Sequence, residues 1–268
     1  MVQFHKIKSL INHRNFHISR YNFIHKSHVN LQHNLIKCRK KTPYVICKPK
    51  LEEYPKILEV MERSYFREEP SLKFLGITMN SAMEKRIVDR LNEGNSLVAK
   101  CKYTGKLLGV AMNQTVKPWN HRILENLARE QTCPKTRELF LFYSYLQEAP
   151  KLFQKYHCLF EIFEITNVFL EKNERRYKLG ILLTKECVNL AIRNRFKLVR
   201  CDATNFVFSQ LLEKLKFNLV TNIPYEDYVN ENGVNIFENV EVPNVGVRVF
   251  TLDIRNMKEY SHYVLREA

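Results

Sequence analysis

The chain lacks the residue groupings that mark several common classes of site. Its seven cysteines are odd in number and never closer than nine positions apart, so there is no CxxC pair, no zinc-finger spacing and no disulfide framework. Six of its nine histidines lie within the first 33 residues, which leaves too few for a histidine triad or a histidine metal site. No stretch approaches the roughly 18 unbroken apolar residues of a membrane span. These absences favour a reduced, intracellular, non-metal protein without a membrane span.

Acidic residues are missing from one segment only. Residues 1–50 contain eleven Lys and Arg and no Asp or Glu, so this segment carries +11 of the net +15. The other 218 residues, with 32 basic and 28 acidic side chains, carry only +4. The charge therefore belongs to a tail, and no nucleic-acid partner is expected for the folded part.

Residues 1–42 are interpreted as a solvated, disordered tail, which favours a cytoplasmic protein. The alternative is a mitochondrial targeting segment, because Phe4, Ile7, Leu10, Ile11 and Arg14 could form a short basic amphipathic helix. A contact with nucleic acid or acidic lipid is a third possibility. The apolar fraction of 45% is enough for one core over residues 43–256, followed by a C-terminal tail at 257–268. We expect a monomer.

Apolar periodicity predicts an α/β (α+β) fold with a mixed sheet and helices on both faces. Residues 118–134 stay ambiguous, and Pro150 is expected to interrupt the helix that precedes the fourth strand. Asn205 is a candidate N-cap for the last helix. The predicted strands are 44–48, 95–103, 106–116, 160–170, 198–203, 218–223 and 245–252, and the predicted helices are 51–66, 80–92, 135–156, 180–194 and the segment after Asn205.

The turn after the fourth predicted strand is the most informative segment. It reads Arg175-Arg176-Tyr177-Lys178-Leu179-Gly180-Ile181 and leads into a helix. The start of a helix presents free N–H groups and the positive end of the helix dipole to an anion. The segment therefore predicts a site for the diphosphate of a phosphorylated cofactor.

The order of elements over residues 44–255 resembles the GNAT acetyltransferase superfamily. The segment Arg67-Glu68-Glu69-Pro70-Ser71-Leu72 looks like the acidic-Glu-Pro-Leu motif of insect arylalkylamine N-acetyltransferases. Three later segments look like the C-terminal half of that family: Cys201-Asp202-Ala203-Thr204, Lys214-Leu215-Lys216-Phe217 and Ile223-Pro224-Tyr225-Glu226-Asp227-Tyr228.

The resemblance implies a GNAT fold with a splayed strand pair and acetyl-CoA as co-substrate. The family loop follows the pattern Arg/Gln-x-x-Gly-x-Gly/Ala, and neither possible register fits. One puts Tyr177 and Leu182 at the first and last positions; the other puts Arg176 first, Leu179 on the glycine and Ile181 last. The implied cofactor-binding residues are Val168, Leu170, Arg176, Tyr177, Lys178, Leu179, Gly180, Ile181, Leu182 and Asn205.

The same resemblance assigns catalytic and substrate residues. Glu69 would be the general base, acting through water, and Ser209 the acid that protonates the departing thiolate. Glu68 would hold the substrate ammonium. Tyr225 and Tyr228 would line the amine pocket, with packing at the strand end as the alternative for both. No metal is implied.

These residues predict an acetyl-CoA-dependent N-acetyltransferase of small primary amines, with arylalkylamines of the dopamine, tyramine and serotonin type as the first candidates. The alternatives are a GNAT enzyme for aliphatic amines, polyamines or peptide termini, and a non-catalytic protein that binds acyl-CoA or a protein partner. Two departures indicate a divergent member. Lys216 stands in place of a helix-ending glycine, at a cost of about 1 kcal/mol, and Asn244 follows Pro243 where relatives tend to have histidine.

Overall fold

The computed structural model describes residues 44–175, 178–237 and 240–260. The predicted tail at 1–42, the loop residues Arg176 and Tyr177, and residues 261–268 lie outside this part of the chain. Among the described residues, no helix is both long enough and apolar enough to cross a bilayer.

The described residues form one mixed sheet of seven strands in the order β1-β2-β3-β4-β5-β7-β6. All neighbouring pairs are antiparallel except β4 and β5, which are parallel. The strands are β1 (Tyr44–Cys47), β2 (Leu97–Cys101), β3 (Leu107–Val116), β4 (Ile162–Leu170), β5 (Leu198–Ala203), β6 (Asn218–Pro224) and β7 (Gly246–Asp253).

Helices cover both faces of the sheet, which confirms the predicted fold class. The ambiguous segment 118–134 contains a helix, and α1 runs into a π-helical turn, Met61–Tyr65, and a last turn, Phe66–Glu68. The helices are α1 (Tyr54–Val60), α2 (Pro70–Leu75), α3 (Ser81–Asn92), α4 (Asn120–Arg129), α5 (Pro134–Glu148), α6 (Leu152–Lys155), α7 (Leu179–Arg193) and α8 (Phe206–Lys214).

Each face of the sheet has its own core. On one face, Leu183 and Cys187 of α7 pack with Phe163 and Val199 of the central strands. On the other face, helices α1, α3 and α5 pack over alternate strand residues such as Val110. Strand side chains alternate between the two faces, so both cores come from the same strands.

The central strands β4 and β5 separate halfway along their length. Their ladder joins Phe163–Ile165 to Val199–Cys201 and then stops, although β4 continues to Leu170. The register of β4 against β3 shifts at the same point, and the extra residue, Thr166, donates its hydroxyl to the Met112 carbonyl at 2.8 Å. Because a bulge bends the strand that carries it, β4 leaves β5 here. The two strands therefore separate because of the bulge in β4, which is part of the sheet.

Candidate active site

A cavity of about 610 Å³ fills the gap between the two separated strands. One wall is formed by the part of β4 from Thr166 to Leu170. The opposite wall is formed by Asp202 at the end of β5 and by the start of α8. Six of the predicted cofactor residues line this cavity: Val168, Leu170, Lys178, Gly180, Ile181 and Asn205.

The start of α7 forms one end of the cavity. Lys178 precedes the helix with a left-handed backbone (φ 60°), and no side chain caps the helix start within the described residues. The first N–H groups of a helix have no acceptor in their own helix, and Gly180 and Ile181 bring two of them to the cavity wall. This is the geometry of an anion site at a helix N-terminus.

The bulky residues of the loop do not obstruct this end. Leu179 is buried in the core on the α7 face, and Leu182 is not among the residues that line the cavity. A Cβ atom added at Gly180 would lie 3.6 Å from Leu170 Cδ1 and 3.7 Å from Leu211 Cδ1, which are ordinary contacts. The missing glycines therefore leave the helix start accessible.

The basic residues near the start of α7 differ in whether they form ion pairs with other side chains. Arg175 forms an ion pair with Glu68 and donates from Nε to the Leu170 carbonyl at 3.2 Å. Glu68 thus binds a cation of the protein itself in this structure. Lys178 and Lys214 both line the cavity, one on each side, and form no salt bridge within the described residues. These two ammonium groups supply positive charge near the helix start.

Glu69 lines the same cavity and is 8% exposed. Its extended backbone ends the helical run of Phe66–Glu68, and its side chain caps α2 by accepting from the Leu72 N–H at 2.7 Å. The Ser71 hydroxyl donates to the same oxygen, Oε2, at 2.6 Å. Pro70 follows at the first position of α2, where proline is well tolerated. The Glu-Pro-Ser-Leu segment therefore fixes the carboxylate and leaves Oε1 without a hydrogen bond from the described residues.

The negative charge of Glu69 affects the pKa values of three tyrosines. Burial, followed by the nearby Glu69 charge, raises the pKa of Tyr65, Tyr143 and Tyr225 above the usual value for a phenol. Tyr65 and Tyr143 line the cavity, whereas Tyr225 does not. The high pKa values keep these hydroxyls protonated at neutral pH, so two neutral O–H donors face the cavity beside Glu69.

Two predicted substrate residues pack in a separate cluster. Tyr225 and Tyr228 are 1% and 6% exposed and belong to a core with Phe142 and Phe237. Phe142 and Tyr228 meet edge to face with ring centroids 4.9 Å apart. Neither tyrosine lines the cavity. Their position agrees with the alternative that the sequence left open, packing at the end of a strand.

Ser209 is fully buried on α8 and is not among the cavity-lining residues. Its hydroxyl accepts a hydrogen bond from Arg248 Nη1 at 2.9 Å. Arg248 also pairs with Glu213 at 3.0 Å. The structure thus shows Ser209 linking α8 to β7, and its role as the catalytic acid stays a prediction.

Solved structures of other proteins have the same fold. No family model matches the sequence, and no curated protein matches it. Three solved structures cover 78–79% of the chain and 99% of their own lengths. A mosquito arylalkylamine N-acetyltransferase like 5b has a TM-score of 0.74 at 19% identity, and arylalkylamine N-acetyltransferase 2 from Aedes aegypti has 0.70 at 22%. A Drosophila melanogaster polyamine N-acetyltransferase that forms N-acetylagmatine has 0.70 at 16%.

This chain has the GNAT fold. The splayed strand pair that the resemblance implied is present, with the separation after Ile165, and the helix predicted from Gly180 begins at Leu179. At these identities the similarity establishes the fold alone.

A ladder of buried polar side chains crosses the three central strands of the GNAT sheet. Gln114, Glu164 and Arg200 are partners in register on β3, β4 and β5, and each is less than 8% exposed. Glu164 accepts from Gln114 Nε2 at 2.5 Å and from Gln147 Nε2 at 3.1 Å. Arg200 donates to both carboxylate oxygens of Asp202, at 2.8 and 2.7 Å. Gln147 connects Glu164 to Arg200, because its Oε1 also accepts from Arg200 Nη1 at 3.0 Å. Gln114, Gln147 and Glu164 form a polar floor for the cavity.

Several polar residues of the cavity were not predicted from the sequence. One of them, Glu164, had a visible signal, because it interrupts an apolar run of a central strand, and buried charge in such a place indicates a specific role. Tyr65 lies within the predicted helix 51–66. The polar cavity residues that were not predicted include Tyr65, Arg86, Arg90, Gln114, Tyr143, Gln147 and Glu164.

Proposed function

We propose that this protein is an acetyl-CoA-dependent N-acetyltransferase of small primary amines. One observation carries the proposal: the uncapped start of α7 and Glu69 line one and the same cavity. The diphosphate of CoA would bind at Gly180 and Ile181 between Lys178 and Lys214. The pantetheine would then follow the unpaired edge of β4 past Val168 and bring the thioester toward Glu69.

The reaction needs two proton movements. An alkylammonium loses a proton to Glu69, directly or through water, and the free amine attacks the thioester carbon. The new C–N bond forms and the C–S bond breaks, and the CoA thiolate takes up the second proton that the nitrogen loses as it becomes an amide. Tyr65 and Tyr143 present neutral O–H groups to the cavity. These groups can stabilise the charge that develops on the thioester oxygen or on sulfur.

Arylalkylamines are the first substrate class that we propose. Tyr65, Tyr143 and Phe169 line the cavity near Glu69 and offer aromatic surface to a ring of the substrate. Aliphatic amines are the second candidate, supported by the polar floor at Gln114 and Glu164, which offers hydrogen-bond partners that an aryl group would leave unused. Peptide termini and a non-catalytic acyl-CoA-binding role stay as outcomes of the test.

The test is acetyl transfer by the purified full chain. Acetyl-CoA is titrated by calorimetry, and thiol release is then followed with dopamine, tyramine, serotonin, agmatine and a short peptide. We expect acetyl-CoA binding and amine-dependent thiol release. Absence of acetyl-CoA binding would contradict the proposal, and binding without thiol release for any amine would support the non-catalytic alternative instead.

A further inference from the structure

Arg86 is a charged side chain in the cavity without a partner. It lies on α3 one turn before Arg90, and both arginines line the cavity. Arg90 donates from Nε to Gln114 Oε1 at 3.0 Å and so joins the polar floor. Arg86 forms no hydrogen bond or ion pair with the described residues, and its buried Nε has no acceptor.

The surroundings of Arg86 do not neutralise its charge. Burial, followed by the repulsion of Arg90, lowers its pKa to about 9, so it remains a cation at neutral pH. Its guanidinium carbon, Cζ, lies over the Phe140 ring, 5.9 Å from the ring centre.

The nearest carboxylates that attract Arg86 are engaged elsewhere. Glu164 accepts from Gln114 and Gln147 and lies 3.9 Å from Arg200. Glu93 accepts from the Thr115 N–H at 2.8 Å. Arg86 is half-buried, and its buried Nε has no acceptor among the described residues. A donor that is removed from water without a partner is costly, and an anion in the cavity would remove that cost.

The pKa of Tyr143 is affected both by this cation and by the proposed base, Glu69. The Glu69 charge raises the pKa of Tyr143, whereas the charges of Arg90 and Arg86 lower it, so its hydroxyl is near all three groups. Glu69, Tyr143 and Arg86 all line the one cavity. The cavity thus holds both a carboxylate that can receive the amine and a cation that forms no ion pair with the described residues.

We infer that the acceptor amine carries a carboxylate at the end distal to its nitrogen, and that Arg86 binds this carboxylate. A guanidinium presents parallel N–H donors that match a carboxylate in bidentate geometry. Arg90 adds positive charge on the same side. This inference rests on the proposed amine acetyltransferase function and narrows its substrate class. A polyamine would place a second cation against two arginines and is disfavoured.

The test compares amines that differ only at the distal end. Thiol release from acetyl-CoA is measured for 4-(2-aminoethyl)benzoate against 2-phenylethylamine, and for 4-aminobutyrate against butylamine and putrescine. We expect kcat/KM to be about tenfold or more higher for the carboxylate member of each set. Arg86→Gln should reduce the ratio of kcat/KM within each set to about one, and Arg137→Gln, an exposed arginine outside the cavity, should preserve the preference.

A second measurement does not depend on turnover. Binding of 3-phenylpropionate is measured by calorimetry on wild type, Arg86→Gln and Arg86→Lys, each checked for fold by circular dichroism. We expect binding to be lost in Arg86→Gln and partly kept in Arg86→Lys, even if no amine is acetylated and the proposed function fails. Equal rates within each amine set in an active wild type, or equal 3-phenylpropionate binding by wild type and Arg86→Gln, would overturn the inference while leaving acetyl transfer intact.

Discussion

Ser71 donates its hydroxyl to the Glu69 carboxylate at 2.6 Å, on the same oxygen that accepts the Leu72 N–H at 2.7 Å. Both donors follow Glu69 within three residues, so the short segment that begins α2 orients its own preceding side chain. Only Oε2 is used in this way. The second oxygen is left for a substrate proton in the cavity, which is the arrangement that a general base requires.

Glu69→Gln should remove that base without disturbing the fold. The amide oxygen can still accept from Leu72, so we expect acetyl-CoA binding to be kept and kcat/KM for the best amine to fall by about 10²- to 10⁴-fold. Glu68→Gln is the matched control, because Glu68 pairs with Arg175 and should cost far less activity. Equal losses in the two variants, or full activity in Glu69→Gln, would remove Glu69 from the mechanism.

Ser209→Ala separates a structural role from a catalytic one. The hydroxyl accepts from Arg248 and does not line the cavity, so we expect the free energy of unfolding to fall by about 1 kcal/mol. Turnover should stay within about twofold of wild type, since the cavity keeps all its lining side chains. Urea titration and steady-state kinetics provide the two readouts. A drop in kcat of a hundredfold with unchanged stability would instead support the predicted acid role.

Tyr225→Phe should raise the free energy of unfolding relative to wild type, and the difference should be larger at high pH. The Tyr225 hydroxyl is buried and has no partner among the described residues, so its removal should be neutral or stabilise by up to about 1 kcal/mol at pH 7. Burial raises its pKa well above the usual value. The unfolded chain therefore ionises first, and the wild type loses stability as pH rises above about 10.

Urea midpoints at pH 7 and pH 11 test this prediction. The difference between Tyr225→Phe and wild type should widen at pH 11, because phenylalanine has no proton to lose. Tyr103→Phe, at a side chain 79% exposed, is the control and should change neither midpoint. A destabilised Tyr225→Phe, or a raised KM for the amine, would indicate that the hydroxyl has a ligand.

Lys216→Gly should stabilise the end of α8. Lys216 has a left-handed backbone (φ 66°), and the Phe217 N–H reaches back to the Leu212 carbonyl at 3.0 Å, as in a Schellman cap. Glycine adopts this conformation without the steric cost of a Cβ atom, so the free energy of unfolding should rise by about 1 kcal/mol. Lys216→Ala keeps the Cβ atom and should give no such gain in a denaturation curve. Equal midpoints for the two variants would contradict this account.

The sequence predicted those parts of the fold that depend on periodicity and local chemistry. Strand β5 was predicted with its observed bounds, and the Asn205 side chain caps α8 by accepting from the Val207 N–H at 2.9 Å. The left-handed backbone at Lys216 was implied by the resemblance, which places a helix-ending glycine at this position. Each of these features is determined by a few neighbouring residues.

The side chains that line the cavity could not be predicted from local sequence patterns. Which side of α8 faces the cavity is decided by packing, so Ser209 and the cavity-lining Phe208 could not be distinguished by spacing alone. The bulge at Thr166 depends on pairing with β3, and the partnerless state of Arg86 depends on where Gln114 and Glu164 find their own partners. These are long-range relationships between strands and helices.

Binding of acetyl-CoA at the start of α7 is the central claim, and a matched pair of Gly180 variants tests it most directly. Calorimetry should show binding to wild type and to Gly180→Ala, whose Cβ fits at 3.6 Å, and loss of binding in Gly180→Asp, whose carboxylate suits a helix start but repels a diphosphate. S-acetylpantetheine, which lacks the diphosphate, should not distinguish the variants. Equal acetyl-CoA affinity in Gly180→Asp and wild type would contradict the account.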